Sequence, residues 1–270
     1  MKILLNNNDL NEALYTVSNL GFVPTMGSLH EGHISLIKKS LKRCKKTIVS
    51  IFVNPTQFNK KKDYKKYPRN IKKDLSTLRK LNVDYLFLPK NEHIYNYSKK
   101  SKFYLNKKEK ILCAKYRKGH FEGVIDVMSR LTKILKPSKI FMGEKDFQQF
   151  FLVKKYVEKN YKSKIVLCKT IRDKKKLALS SRNSHLNKEC LIKAGTIARE
   201  LISYKKKLLK KKVTKELILT KKKELEKFHN INVEYLEVRN RKNLQLSNKI
   251  KNSKIFVSYY LKKIRLIDNF

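Results

Sequence analysis

Tryptophan is absent from this chain, and glycine (7), proline (5) and cysteine (4) are scarce. Acidic residues are scarce as well: 22 Asp and Glu stand against 66 Lys and Arg, a formal net charge of +44. None of the cysteines, Cys44, Cys113, Cys168 and Cys190, lies in a C-x-x-C pair, and no histidine stands near them at zinc-ligand spacing. A dithiol redox centre or a zinc ribbon is therefore excluded, and buried thiols are the expectation. No protein metal site is expected. Long apolar runs are missing too, since nothing approaches the roughly 18 residues a membrane helix needs. The opening Met1–Asn8 turns polar too soon for a secretory signal. A cytoplasmic protein with no membrane partner is expected.

The excess of positive charge, taken alone, points to nucleic acid. Its distribution argues otherwise. Lysine far outnumbers arginine, the better planar donor to phosphates and bases, and the lysines run along the whole chain. Lys, Asn and Ile are high together while Gly, Pro and Trp are low, the pattern of a coding sequence drifting toward A and T. Most of the charge reads as solvated surface, Lys205–Lys207 and Lys210–Lys212 included. Only non-specific adhesion to nucleic acid at low salt is expected from it. Glycine becomes informative instead: most of the seven fall in short clusters beside His, Lys or Gln, where backbone turns sharply or approaches a ligand.

Apolar content of 41% is enough for a core. Residues 21–25 read as a buried strand, and a helix starting near Glu31 carries Ile34, Ile37, Leu41 and Cys44 on one face. Thr47–Val53 reads as a second buried strand. The alternation continues with a helix opened by Pro68, a strand at Val83–Leu88 and a helix after Gly119. A strand at Ile140–Met142, a helix from Asp146 to about Lys159 and a strand at Ile165–Cys168 complete it. Residues 90–118 are polar and irregular, with a candidate strand at Phe103–Leu105. After Thr170 the pattern changes to two Lys-rich helices over 188–228 and strands over 232–240 and 254–267. The expected fold is α/β: a Rossmann-like doubly wound parallel sheet over 1–170, then a smaller α+β unit over 171–270.

Five clusters could carry chemistry. His30-Glu31-Gly32-His33 sits at a strand-to-helix turn, where free N–H groups and a partial positive charge favour phosphate. Asn54-Pro55-Thr56-Gln57 follows the next strand, so its amides can face the same crevice beyond the strands' carboxyl ends. Gly143-Glu144-Lys145-Asp146 opens a helix after a third strand and extends to Gln148 and Gln149. Lys145 can neutralise phosphate there and Asp146 can accept ribose hydroxyls. Ser180-Ser181-Arg182 offers two hydroxyls and a guanidinium to a polyphosphate. Gly119-His120-Phe121-Glu122-Gly123 is a glycine turn into a helix, with His120 near enough to reach a site.

Six segments in register resemble one family, the pantothenate synthetases (pantoate–β-alanine ligases, AMP-forming). They are Pro24–His33, Ser50–Phe58, Gly119–Val124, Gly143–Gln149, Leu177–Asn183 and Arg265–Asn269, in the family's order over nearly the whole chain. The His-x-Gly-His turn also places the chain among nucleotidyltransferase-like adenylating enzymes. The resemblance implies that pantoate's carboxylate attacks the α-phosphorus of ATP, giving pantoyl-adenylate, and that β-alanine then displaces AMP. It implies a catalytic set of His33, usually credited as proton donor, with His30 and Lys145. ATP would be held by Met26, Gly27, Ser28, Leu29, His30, Glu31, Gly32 and His33, by Gly143, Glu144, Lys145 and Asp146, and by Ile171, Leu179, Ser180, Ser181 and Arg182. Gln57, Gln149 and Asn54 would hold pantoate and β-alanine. Mg²⁺ on the phosphates, a homodimer and a C-terminal lid are implied as well.

The chain departs from the family in a few places. Lys174–Lys176 replace the acidic residue and glycine common before the Ser-Ser-Arg motif, Lys118 stands where proline is usual, and Asp126 and Arg130 replace a common Thr and Lys. Two rivals remain at this point. One is a basic RNA-binding protein on a retired synthetase fold. The other is an adenylating enzyme with a different acceptor.

Overall fold

The structure, a computed structural model, describes residues 1–59, 61–95 and 103–270. These form two compact units, Met1–Lys169 and Thr170–Phe270.

In the first unit β1 (Lys2–Leu4) leads into α1 (Asn7–Leu14), β2 (Leu20–Thr25), α2 (Glu31–Arg43) and β3 (Lys46–Ile51). The short α3 (Lys61–Lys65) and the longer α4 (Ile71–Lys80) precede β4 (Tyr85–Phe87). After α5 (Asn91–Ile94) and α6 (Cys113–Tyr116) come α7 (His120–Leu135), β5 (Lys139–Gly143), α8 (Phe147–Asn160) and β6 (Lys164–Cys168). Among the described residues the strands form a six-stranded parallel sheet in the order β1-β4-β3-β2-β5-β6. Its central strands are buried on both faces, which is why they read as continuous apolar runs. Val23, Val49, Leu86 and Phe141 pack with Ile37 of α2 and Leu78 of α4. Their chain neighbours Phe22, Ile48, Phe87 and Ile140 are fully buried and, by the two-residue strand period, point to the opposite face.

The strand order reverses at β2. From there the chain builds outward through β3 and β4, then returns to place β5 on the other side of β2. Ligands of such sheets bind outside the strands' carboxyl ends at this switch point. The register shows the sheet parting there. β2 pairs with β3 over all six residues, Leu20 to Thr25. It pairs with β5 only at Gly21–Lys139 and Phe22–Ile140.

The second unit packs α9 (Lys188–Leu208) and α10 (Lys215–His229) with an antiparallel sheet β7-β8-β9, made of Asn232–Asn240, Ser253–Leu261 and Ile264–Asn269. Leu201, Leu225, Ile255 and Val257 are fully buried in its core.

Some boundaries differ from expectation. The helix assigned to Pro68 starts at Ile71, because the Asn70 side chain caps it by accepting from the Lys73 N–H. Phe103–Leu105 forms no strand. Residues 96–102 of the polar 90–118 stretch lie outside the described residues. The single run 254–267 is a hairpin that turns at Lys262, whose φ is +54°. β1 and α1 were not anticipated: three strand residues are too few to show a period. Among the described residues no helix is long and apolar enough to cross a membrane, and the four cysteines remain thiols.

Candidate active site

The turn after β2 carries the first cluster. Thr25 Oγ1 donates to the Ser50 carbonyl of β3 at 2.7 Å and accepts from the Gly27 N–H at 3.2 Å. Gly27 (φ +79°) and Ser28 (φ +52°) then take consecutive left-handed conformations, costly for serine and free for glycine. The conformation is held by Asp74, a carboxylate of α4 only 1% exposed. Its two oxygens accept from the N–H groups of Ser28 and Leu29, both at 2.8 Å. A Cβ on Gly27 would stand 3.0 Å from Asp74 Oδ2 and 3.1 Å from Ile51, so glycine is required on both counts. Asp74 escaped sequence reading. A carboxylate in a helix's first turn looks like a partner for the helix dipole, and its real partners lie on a distant turn.

α2 begins with His30 as its N-cap. His30 Nδ1 accepts from the Gly32 N–H at 3.1 Å, and His33 Nδ1 accepts from the His30 N–H at 3.3 Å, a reciprocal capping box built from two imidazoles. A backbone N–H can only donate, so in both rings Nδ1 bears the lone pair and the neutral tautomer carries its proton on Nε2. The rings lie 4.1 Å apart, centroid to centroid, tilted by 39°. Burial, reinforced by the positive charge of Lys145, brings the His30 pKa down to about 4. Burial and then His30 bring His33 down to about 3. Asp146 acts in the opposite direction on both. The Lys145–Asp146 turn after β5 is thus electrostatically coupled to the imidazole pair after β2, across the switch point. Within that turn Lys145 Nζ lies 3.4 Å from Asp146 Oδ1.

The Asn54–Gln57 cluster closes on the same place. Gln57, in the 3₁₀ turn Pro55–Gln57 after β3, reaches Met26 of the first turn with its amide nitrogen. Its carbonyl accepts from His120 Nδ1 at 2.7 Å, and Arg117 lies 2.8 Å from the other ring nitrogen. His120 therefore supports the Gln57 turn from beneath. Asn54 does likewise. It is 1% exposed, its Oδ1 accepts from Thr56 N, Thr56 Oγ1 and Tyr95 Oη, and its Nδ2 donates to the Gly123 carbonyl. Most of its amide is thus spent on anchoring the loop to α7. Gly123 makes that approach feasible, since a Cβ there would stand 2.5 Å from the Thr56 carbonyl oxygen. The two departures in α7 pair with each other. Arg130 Nε donates to Asp126 at 2.8 Å, and its guanidinium lies over the Tyr95 ring at 4.9 Å. Gln148 is turned inward and donates to the Ile111 carbonyl at 2.7 Å, while Gln149 is half-buried.

Gly143 differs from the other two glycines. Its φ is −75°, and apart from its own chain neighbours no protein atom lies within 4 Å of where a Cβ would stand. Its own fold does not demand glycine.

The remaining cluster belongs to the second unit. Residues 171–179 form a small hairpin, with Leu179 N–H donating to the Ile171 carbonyl at 3.0 Å and Arg172 bridged to Ala178. It delivers Ser180 as the cap of a 3₁₀ turn, Ser181–His185, whose Arg182 N–H donates to Ser180 Oγ.

Comparison with known proteins identifies the family. The family model described as pantoate–β-alanine ligase matches residues 2–270. A pantothenate synthetase of Flavobacterium psychrophilum is 41% identical over 93% of this chain and 90% of its own length. One of Thermosipho africanus is 37% identical over 96% and 94%. The crystal structure of pantothenate synthetase from Thermus thermophilus matches with a TM-score of 0.89 at 29% identity, over 100% of this chain and 99% of that one. The Francisella tularensis pantoate–β-alanine ligase, described as complexed with β-γ ATP and β-alanine, matches with a TM-score of 0.83 at 35% identity, over 100% and 97%. Nothing among these relatives supports the RNA-binding alternative. A match spanning the chain, relatives above 30% identity and a shared fold together place this chain in the pantoate–β-alanine ligase family.

Proposed function

We propose that the chain condenses pantoate with β-alanine at the expense of ATP, through pantoyl-adenylate, with the imidazole pair of α2 as its electrostatic centre. The observation that carries this reading is the pairing of His30 and His33 at a helix N-terminus, coupled to the Lys145 turn at the switch point of the sheet.

Pantoate's carboxylate is ionised at neutral pH and needs no base. It attacks the α-phosphorus, the bond to the β-phosphate breaks, and pyrophosphate leaves with the added charge. Catalysis is then a matter of alignment and of meeting that charge with fixed donors. The Nε2–H groups of His30 and His33, the ammonium of Lys145 and the positive end of the α2 dipole are such donors. With the His33 pKa near 3, the imidazole meets the phosphates as a neutral N–H donor. An anionic phosphate beside it raises its affinity for a proton, which is the sense in which it serves as proton donor.

Met26–His33 and Gly143–Asp146 are assigned to the nucleotide. Gly143 and Asp146 take the ribose, and the open space over Gly143 favours that approach. Ser180, Ser181 and Arg182 take the β- and γ-phosphates, and Ile171 and Leu179 the adenine side. Gln57 and Gln149 are assigned to pantoate, with Gln57 also toward β-alanine. Asn54 is assigned with them, its buried amide shaping the Gln57 turn. Mg²⁺ is expected on the phosphates, largely through water, where it would partly neutralise them without a dedicated protein cage. The second unit as a lid, a homodimer and a cytoplasmic setting belong to the same proposal.

The test is pantoate-dependent exchange of pyrophosphate into ATP, with Mg²⁺ and no β-alanine. Exchange that requires pantoate supports the adenylation half-reaction. Exchange with another acid, or none from folded protein, overturns the assignment.

A further inference from the structure

The tail Arg265–Asn269 is shared with the family, yet the chemistry above assigns it nothing. Its geometry has two parts. Arg265 Nε donates to Glu234 of β7 at 3.0 Å, a staple across the small sheet. Asp268 points elsewhere. Its two oxygens accept from Nη1 and Nη2 of Arg172 at 2.6 and 2.8 Å, a bidentate pair whose side chains are 18% and 8% exposed. Arg172 Nη2 also donates to the Asn269 carbonyl at 3.1 Å, Nη1 donates to the Lys176 carbonyl at 3.0 Å, and the guanidinium lies 4.7 Å from the Phe270 ring.

Arg172 belongs to the first arm of the 171–179 hairpin, and the Lys176 carbonyl lies past its tip. One guanidinium therefore ties both sides of the hairpin to the end of β9. The hairpin is also held by Arg199 of α9, which donates to the Lys175 carbonyl at 3.1 Å, and by Leu177, buried in the core. Its tip is closed by Asp173, whose carboxylate accepts from the Leu177 N–H at 2.9 Å, and its far end by Asn183 Nδ2 donating to the Ala178 carbonyl at 3.1 Å. Its second arm runs straight into Ser180, Ser181 and Arg182. A bidentate guanidinium–carboxylate pair fixes direction as well as distance, so it sets where the hydroxyls and the Arg182 guanidinium stand.

We propose that Asp268 and Arg172 are positioning residues for the polyphosphate clamp, holding the hairpin that presents Ser180, Ser181 and Arg182. The inference rests on the reading that those three residues engage the β- and γ-phosphates of ATP. Neither member of the pair need touch substrate.

The two half-reactions separate this role from a merely structural one, because pyrophosphate takes part only in the first. In Asp268→Asn the carboxylate's second acceptor becomes an amide donor facing a guanidinium. Expected is a rise of about tenfold, equal to 1.4 kcal/mol, in the KM for ATP and for pyrophosphate in the exchange reaction. The KM for pantoate and the rate at which β-alanine attacks pre-formed pantoyl-adenylate should stay unchanged. Asp268→Glu should recover part of the loss. Arg172→Lys, which keeps the charge and loses the fork, should repeat the pattern and serves if Asp268→Asn does not fold. Wild-type KM for ATP in a folded variant overturns the proposal, as does an equal loss in both half-reactions. Absence of exchange in the unmodified protein breaks instead the functional reading beneath it.

Discussion

His30 and His33 each give their Nδ1 lone pair to a backbone N–H of the turn that joins them, which places the proton of both neutral rings on Nε2. The rings also cap α2 for each other, so removing one disturbs the pose of the other. In His33→Ala the His30 N–H loses its acceptor and one donor to the migrating charge is lost. Loss of one preorganised donor costs about 10²–10³ in rate. Pyrophosphate exchange in His33→Ala should fall by at least that factor while the protein stays folded. Near-normal exchange would sink the role assigned to His33.

The same pair makes stability depend on pH. Both folded-state values, about 4 and about 3, lie below the ordinary histidine value of 6.5. Between pH 6.5 and 4 the unfolded chain binds protons that the folded chain refuses, so stability falls with falling pH across that window and is insensitive to the pair above it. Each imidazole contributes at most about 1.4 kcal/mol per pH unit, less for the partly exposed His30. Thermal denaturation at pH 7 and pH 5 should show a drop in Tm, and His33→Gln should reduce that drop. An unchanged pH dependence in the variant would show that the pair is not its source.

Asp74 governs the turn that presents these rings. Its two oxygens meet the N–H groups of Ser28 and Leu29. Asparagine at this position keeps one acceptor and sets an NH₂ against the other N–H. A buried donor left without its partner costs about 1–3 kcal/mol. Asp74→Asn should therefore lower the unfolding free energy by that amount in urea denaturation. It should also raise the KM for ATP, since Ser28 and Leu29 lose the contacts that hold the left-handed turn. A variant matching the wild type in both would refute the clamp.

The contrast between His30 and Asp74 shows what the sequence can disclose. The histidines act on their own turn, so spacing, a preceding apolar strand and a following amphipathic run were enough to find them. Asp74 acts on backbone 45 and 46 residues away. A carboxylate that binds main-chain N–H groups leaves no pattern in side-chain types. Arg130 and Asp126 were visible only as departures. Their pairing, and the stacking of Arg130 on Tyr95, which in turn donates to Asn54, exist only once α7 and the Asn54 loop are folded together. The parallel sheet was legible because strands buried on both faces are apolar throughout. β1, three residues long, could be recognised only from its pairing with β4.

Lys176 takes a strained backbone conformation without being glycine. Its φ is +70°, in the left-handed region that favours glycine, and it follows Lys174 and Lys175 at the tip of the hairpin. The carbonyl of Lys176 accepts from Arg172 and its N–H donates to the Asp173 carbonyl, so the conformation is fixed by its neighbours rather than chosen by the lysine. A non-glycine residue in this region costs roughly 1–2 kcal/mol, against which glycine's extra freedom in the unfolded chain returns about 0.5–1 kcal/mol. Lys176→Gly should therefore stabilise the second unit by about 0.5–1 kcal/mol, the difference between these two effects, and raise the Tm accordingly. The gain should persist in high salt, because it comes from backbone strain and not from relief of charge repulsion among the three lysines. Lys176→Gln removes the same charge and keeps the strain. Equal gains from the two variants would locate the cost in charge instead.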